Sequence, residues 1–164
     1  MKIALTLLSL LAVAGCSSVH SNAKQAEDNK ALVQRFVDKM NKHDLSAIDE
    51  CFDASYVDHD VPPGTPPNRD GLKQMFQMFL KAFPDMQMKV QHVVAEGDLV
   101  VIHLTSMGTN KGEMMGMPAT GKAIKVQEMH LARVANGKFV EHWGVEDQVT
   151  MMQQLGLMPE PGKK

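Results

Sequence analysis

At Pro84 the apolar residues change their period, and that change limits what this chain can fold into. Before it, Leu72, Met75, Phe76, Phe79, Leu80 and Phe83 recur at three- and four-residue steps, the spacing that lines one face of a helix. Proline has no N–H to donate and so ends that helix. After it, Met86, Met88, Val90 and His92 alternate with Gln87, Lys89 and Gln91, a period of two that belongs to a strand. An earlier stripe of Leu32, Val33, Phe36, Val37 and Met40 predicts a first helix starting near Asn29. Asp44 or Ser46 can cap a short second helix running to residue 52, and Asn68 opens the third after the loop VPPGTPPN. Glu96-Gly97-Asp98 is a turn, and the nearly all-apolar stretch 99–106 predicts a strand covered on both faces. Two more strands, 122–134 and 138–147, flank Asn136-Gly137, and a closing helix over 150–155 stops at Gly156. Helices followed by hairpin-linked strands imply an α+β fold. Three helices would pack on the concave face of a curled antiparallel sheet and enclose a pocket.

The leading segment MKIALTLLSLLAVAGC has Lys2, then an unbroken apolar and small run, then Cys16. It is too short for a permanent transmembrane helix and predicts an export signal over 1–15. Its Ala14-Gly15-Cys16 ending resembles a bacterial lipobox, which implies lipidation of Cys16. Ser17 after the cysteine resembles lipoproteins passed to the outer membrane. The expected place is therefore the bacterial cell envelope, lipid-anchored and facing the periplasm. Residues 16–28 would be a lipidated tether, 29–157 the domain and 158–164 a tail. The formal net charge is −2 with no basic stripe, which argues against a nucleic-acid partner. Cys51 is the only other cysteine, so no intramolecular disulfide staples the mature domain, and it reads as a small buried hydrophobe.

Groups able to move protons cluster late in the chain. His59, His103, His130 and His142 are candidates, with Asp58, Asp60, Glu128, Glu141, Glu146 and Asp147, because imidazole titrates near neutrality. Strand parity sorts them. Val126, Glu128, His130, Ala132 and Val134 share one face; Val140, His142, Gly144 and Glu146 share another, with Phe139, Glu141, Trp143, Val145 and Asp147 opposite. The hairpin decides how these faces meet. A two-residue Asn136-Gly137 turn places His130 opposite Trp143. A three-residue loop with a Gly137 bulge places His130 opposite His142 and Glu128 opposite Gly144. Alternation along Asp58-His59-Asp60 splits the carboxylates from the histidine, and no HExxH or paired-cysteine spacing occurs, so no metal site is expected.

The segments YVDHDVPPGTPPNRDGLKQMF, FPDMQMKVQHVVAEGDLVV, GMPATGKAIKVQEMHLARVANGKFVEHWGVEDQ and MMQQLG resemble the SnoaL-like polyketide cyclase and ester cyclase group of the NTF2-like superfamily, in order, from about Asn29 to Gly156. The resemblance implies an NTF2-like cone with a deep pocket and a homodimer joined through the outer sheet face. It also implies cofactor-independent ring closure by aldol chemistry, with a pocket histidine and aspartate moving the protons. Those family positions match His130 and Gly144, which favours the three-residue loop. Here the chain departs from the pattern, reading His142-Trp143-Gly144 where relatives read His-Trp-Asp. The candidate catalytic groups are therefore His130, Glu128 across from the gap, and Asp147, should a strand end or bulge swing it inward. His59, His142, Gly144 and Trp143 are candidates for contact with a small hydrophobic ligand. The rival reading is a non-catalytic envelope module that captures such molecules or docks a partner protein.

Overall fold

The computed structural model describes residues 11–159 and 162, with side chains from residue 21 onward. The elements run α1 (Leu11–Met40), α2 (Ser46–Cys51), β1 (Phe52–Asp58), α3 (Arg69–Ala82), β2 (Gln87–Glu96), β3 (Leu99–Thr109), β4 (Ala123–Ala135), β5 (Lys138–Glu146) and α4 (Gln148–Leu155). The strands form one sheet in the order β1-β5-β4-β3-β2. This is the expected α+β arrangement of helices on a curved sheet, with one correction. The sheet is mixed, because β1 pairs parallel to β5. The sequence reading had carried helix α2 through Phe52, where the chain instead turns directly into β1.

Helix α1 starts well before Asn29, where the sequence predicts it, and runs through residues 16–28, the segment expected as a tether. Cys16 lies within that helix; its side chain, like residues 1–10 of the expected signal, lies outside the described residues. Of the tail, residues 158, 159 and 162 are described. Strand β3 is not covered on both faces, for Val101 is exposed while its neighbours Val100 and Ile102 are buried.

Local chemistry explains the element ends. The Asn68 side chain accepts a hydrogen bond from the Gly71 N–H at 3.0 Å, capping α3 as expected. Gly71 is required there, since a Cβ would stand 1.9 Å from the Pro66 carbonyl oxygen. The β4–β5 hairpin pairs Ala135 with Lys138, leaving a two-residue turn. Asn136 and Gly137 take φ of 52° and 72°, left-handed values that suit this turn and its residues. The pairing then slips. Val134 faces Phe139, but Arg133 faces Glu141, so Val140 is an extra residue and a β-bulge. Beyond it His130 stands opposite Gly144 and Glu128 opposite Glu146, neither of the two registers expected. The bulge also reverses the parity of Phe139, which enters the core at 2% exposure instead of facing away with Trp143.

The core joins α1, α2 and α3 to the concave face of the sheet. Leu32, Val33, Val37 and Met40 of α1 pack with Ile48, Cys51, Val100 and Ile102, so the stripe spaced for a helix face is the one buried. Cys51 is buried and free. Phe36, Phe52 and Phe139 meet with centroids 4.9 to 6.3 Å apart, contacts that add to their apolar burial. Ile48 has no exposed surface. Ile48→Ala should therefore cost about 2–5 kcal/mol of unfolding free energy in urea denaturation. Val149→Ala, at a position 56% exposed, should stay within about 0.5 kcal/mol.

Candidate functional site

Between α3 and the concave face lies a cavity of about 800 Å³. Most of its wall is apolar: Phe76 and Phe79 from α3, Leu104 and Val126 from the sheet, and methionines including Met88, Met114 and Met151. The stripe that predicted α3 thus serves as core and cavity wall at once. Methionine's flexible thioether chain suits a wall that must fit an irregular apolar guest. Ser106, buried on this wall, is the one buried side-chain polar group without a hydrogen-bond partner among the described residues. A shallower hollow beside Lys81 and Glu113 contains no histidine.

The polar end of the cavity is a continuous hydrogen-bonded chain. Glu128 Oε2 lies 3.0 Å from His130 Nε2. His130 Nδ1 lies 2.9 Å from His142 Nε2, and His142 Nδ1 lies 2.9 Å from Asp58 Oδ1. The Tyr56 hydroxyl donates to Asp58 Oδ2 at 3.0 Å, and the Asp60 N–H donates to Asp58 Oδ1 at 3.1 Å. Asp60 in turn accepts from the Gly144 N–H at 2.8 Å. The pieces come from three adjacent strands: β1 supplies Tyr56 and Asp58, β5 supplies His142 and Gly144, and β4 supplies Glu128 and His130.

Electrostatics follow from this wiring. Burial pushes the Asp58 carboxyl up, but the neighbouring His142, the Asp60 N–H and the Tyr56 hydroxyl outweigh it and hold Asp58 below its ordinary value. Burial, and then the Asp58 charge, push the Tyr56 hydroxyl well up, so Tyr56 remains a donor. Glu146, open to solvent at the rim, is hemmed in by the cavity mouth. That partial desolvation, with the charge of Glu128 opposite, raises its carboxyl, while His130 and His142 pull the other way.

The candidates from sequence divide accordingly. His130, Glu128, His142 and Gly144 converge on one end of the cavity. His59 stands at its rim with its ring stacked on Trp143, centroids 4.6 Å apart and 8° from parallel. Trp143 itself faces away from the cavity, pairing with Leu131. Asp147 is corrected. It does not swing inward but caps α4, accepting from the Thr150 N–H at 3.0 Å and the Thr150 hydroxyl at 2.6 Å. Two groups stand among the proton-moving candidates of the sequence but outside its final choice of catalytic and ligand-contact residues. Glu146 has the inward parity that the sequence reading itself assigned, so the signal was present. Asp58 reaches the site only through β1, which was not expected as a strand. Among the described residues, no three of His, Cys, Asp and Glu are grouped to hold a metal ion.

A carboxyl held low in the folded state stabilises above its unfolded pKa, and the gain is lost as pH falls through the lower folded value. Acid unfolding of the wild type should therefore include a component at and below the ordinary aspartate range. In Asp58→Asn that component should disappear from the pH dependence of the melting temperature.

Residues 30–155 match the family described as SnoaL-like polyketide cyclase. The aklanonic acid methyl ester cyclase DnrD of Streptomyces peucetius is 35% identical over 60 residues, covering 37% of this chain and 41% of that protein. Of solved structures, IdmH from Streptomyces antibioticus is 35% identical with a TM-score of 0.69, covering 78% of this chain and 98% of its own. TsrD from Streptomyces laurentii, 23% identical, has a TM-score of 0.74 with 80% and 97% covered, a likeness of fold. With its fold, cavity and matched length together, the chain belongs to the SnoaL-like polyketide cyclase family.

Proposed function

We propose that the domain binds a small, hydrophobic, polyketide-like molecule and acts on it by acid–base chemistry of the aldol-cyclase type. One observation carries the reading: a hydrogen-bonded Glu128–His130 pair stands at the polar end of an otherwise apolar cavity. An aldol closure needs a base for the proton beside a carbonyl and an acid for the new alkoxide. It also needs walls that hold a flexible chain in its reactive shape. The Glu128–His130 pair meets the first need. Glu146, opposite Glu128 in the ladder and with its carboxyl raised, meets the second. The methionine and phenylalanine walls supply the third.

The test uses aklanonic acid methyl ester, named for the relative DnrD, as probe substrate. The wild type should form the ring-closed product, and His130→Gln and Glu128→Gln should each lower kcat by about 10²- to 10⁴-fold. Binding without turnover, unchanged by His130→Gln, would instead make the domain a capture module. Gly144, which puts no side chain where the resemblance implies an aspartate, gives that alternative its footing.

The same proposal places the protein in the bacterial envelope, anchored by lipid on Cys16. Among the described residues no helix is long and apolar enough to cross a membrane, so attachment would rest on that lipid. A homodimer through the outer sheet face fits the exposed Val94, Val101, Met129 and Val145, which that face leaves to solvent. Cys16→Ser should release the protein from the membrane fraction, and Met129→Lys should drive the released protein to monomer in sedimentation equilibrium.

A further inference from the structure

We infer that His142 and Asp58 are positioning residues that form with His130 and Glu128 a three-bond proton wire, which Gly144 makes possible. The catalytic meaning of this wire rests on the acid–base reading above; its existence does not.

The space at residue 144 comes first. A Cβ built on Gly144 would stand 3.0 Å from His130 Nδ1, 3.0 Å from His142 Cε1 and 3.2 Å from His142 Nε2. Those are atoms of the two rings that meet at 2.9 Å. A side chain here would require one or both rings to give by a few tenths of an ångström, which strains the histidine–histidine bond. A glycine at 144 is therefore what leaves room for the connection.

Proton counting fixes what that connection holds. Asp58 accepts from Tyr56, from the Asp60 N–H and from His142, so it is a carboxylate and the His142 Nδ1 carries a proton. Each of the three bonds along Asp58–His142–His130–Glu128 needs one proton, three in all. Two neutral imidazoles between two carboxylates bring only two. The wire thus holds one extra proton, which can sit on Glu128, on His130 or between the rings without breaking a bond. Asp58 holds the far end fixed, so the proton is exchanged at the end that faces the cavity, His130 Nε2 and Glu128. Asp60 and Glu146 also face this end. Asp60 is tied to the Gly144 N–H, and Glu146 stands opposite Glu128 in the ladder.

Long-range 1H–15N NMR of the imidazoles near neutral pH reads the wire directly. The wild type should show a protonated His142 Nδ1, and His130 Nδ1 and His142 Nε2 at shifts between bare and protonated nitrogen. Asp58→Asn and Gly144→Ala should each lose the extra proton, giving one clearly bare inner nitrogen and altered His130 shifts. Two neutral, unlinked rings in the wild type would overturn the inference whatever the variants do. So would His130 shifts that stay put in either variant while the circular dichroism spectrum and melting temperature are kept. With aklanonic acid methyl ester, Asp58→Asn should lower kcat on the order of a hundredfold with KM held, and should reshape the pH profile. An intact NMR signature without turnover would sink the cyclase reading and leave the wire. Turnover with unlinked rings would do the reverse.

Discussion

The parallel pairing of β1 with β5 is the contact on which the rest of this site depends. It sets Asp58 beside His142, and it does so at 3% exposure. A carboxylate taken that far out of water is tolerable only if its lone pairs are met by donors. Tyr56, two residues earlier on the same face of β1, meets one oxygen; the Asp60 N–H and His142 meet the other. Removing any of these leaves a buried charge partly unmet, so strand pairing, burial and hydrogen bonding reinforce one another. The site is held together by the same pairing that makes β1 part of the sheet.

The bulge at Val140 is the second constraint, and it lets one strand serve two purposes. Phe139, before the bulge, packs with Phe36 and Phe52 in the core. His142, Gly144 and Glu146, after it, line the cavity. Strict alternation from Phe139 would send one of these sets to the outer face. One extra residue keeps both inside.

How far this could be read from sequence follows from how local each signal is. The α1 and α3 stripes, the break at Pro84 and the Asn68 cap are written in neighbouring residues, and each stands where it was read; the two-residue Asn136-Gly137 turn is equally local, but the family pattern pulled the reading to a three-residue loop. Parity alone placed His130, His142 and Glu146 inward. Strand β1 was missed because FDASYVD follows α2 with no intervening turn residue, and its partner β5 lies some eighty positions away, beyond any local pattern. The bulge was missed because nothing in Phe139-Val140-Glu141 marks an extra residue. Asp147 was the opposite case. Its Asp-x-x-Thr spacing to Thr150 is an N-cap signal, and the pull of the family pattern toward a carboxylate near Gly144 overrode it.

Family membership accounts for the fold and the cavity, but it does not carry residue roles across position by position. In this chain the two rings that bond to each other lie against the space a side chain at 144 would take. The two arrangements are electrostatically comparable. A carboxylate at 144 would bring a negative charge next to His130 from one residue; His142 brings the charge of Asp58 to the same nitrogen through one imidazole. Asp58 lies deeper, is fully hydrogen-bonded and leaves the mouth of the cavity clear for a guest. Gly144 is then the residue that leaves room for the bonded rings, since it supplies a donor N–H to Asp60 and no atom to separate the rings.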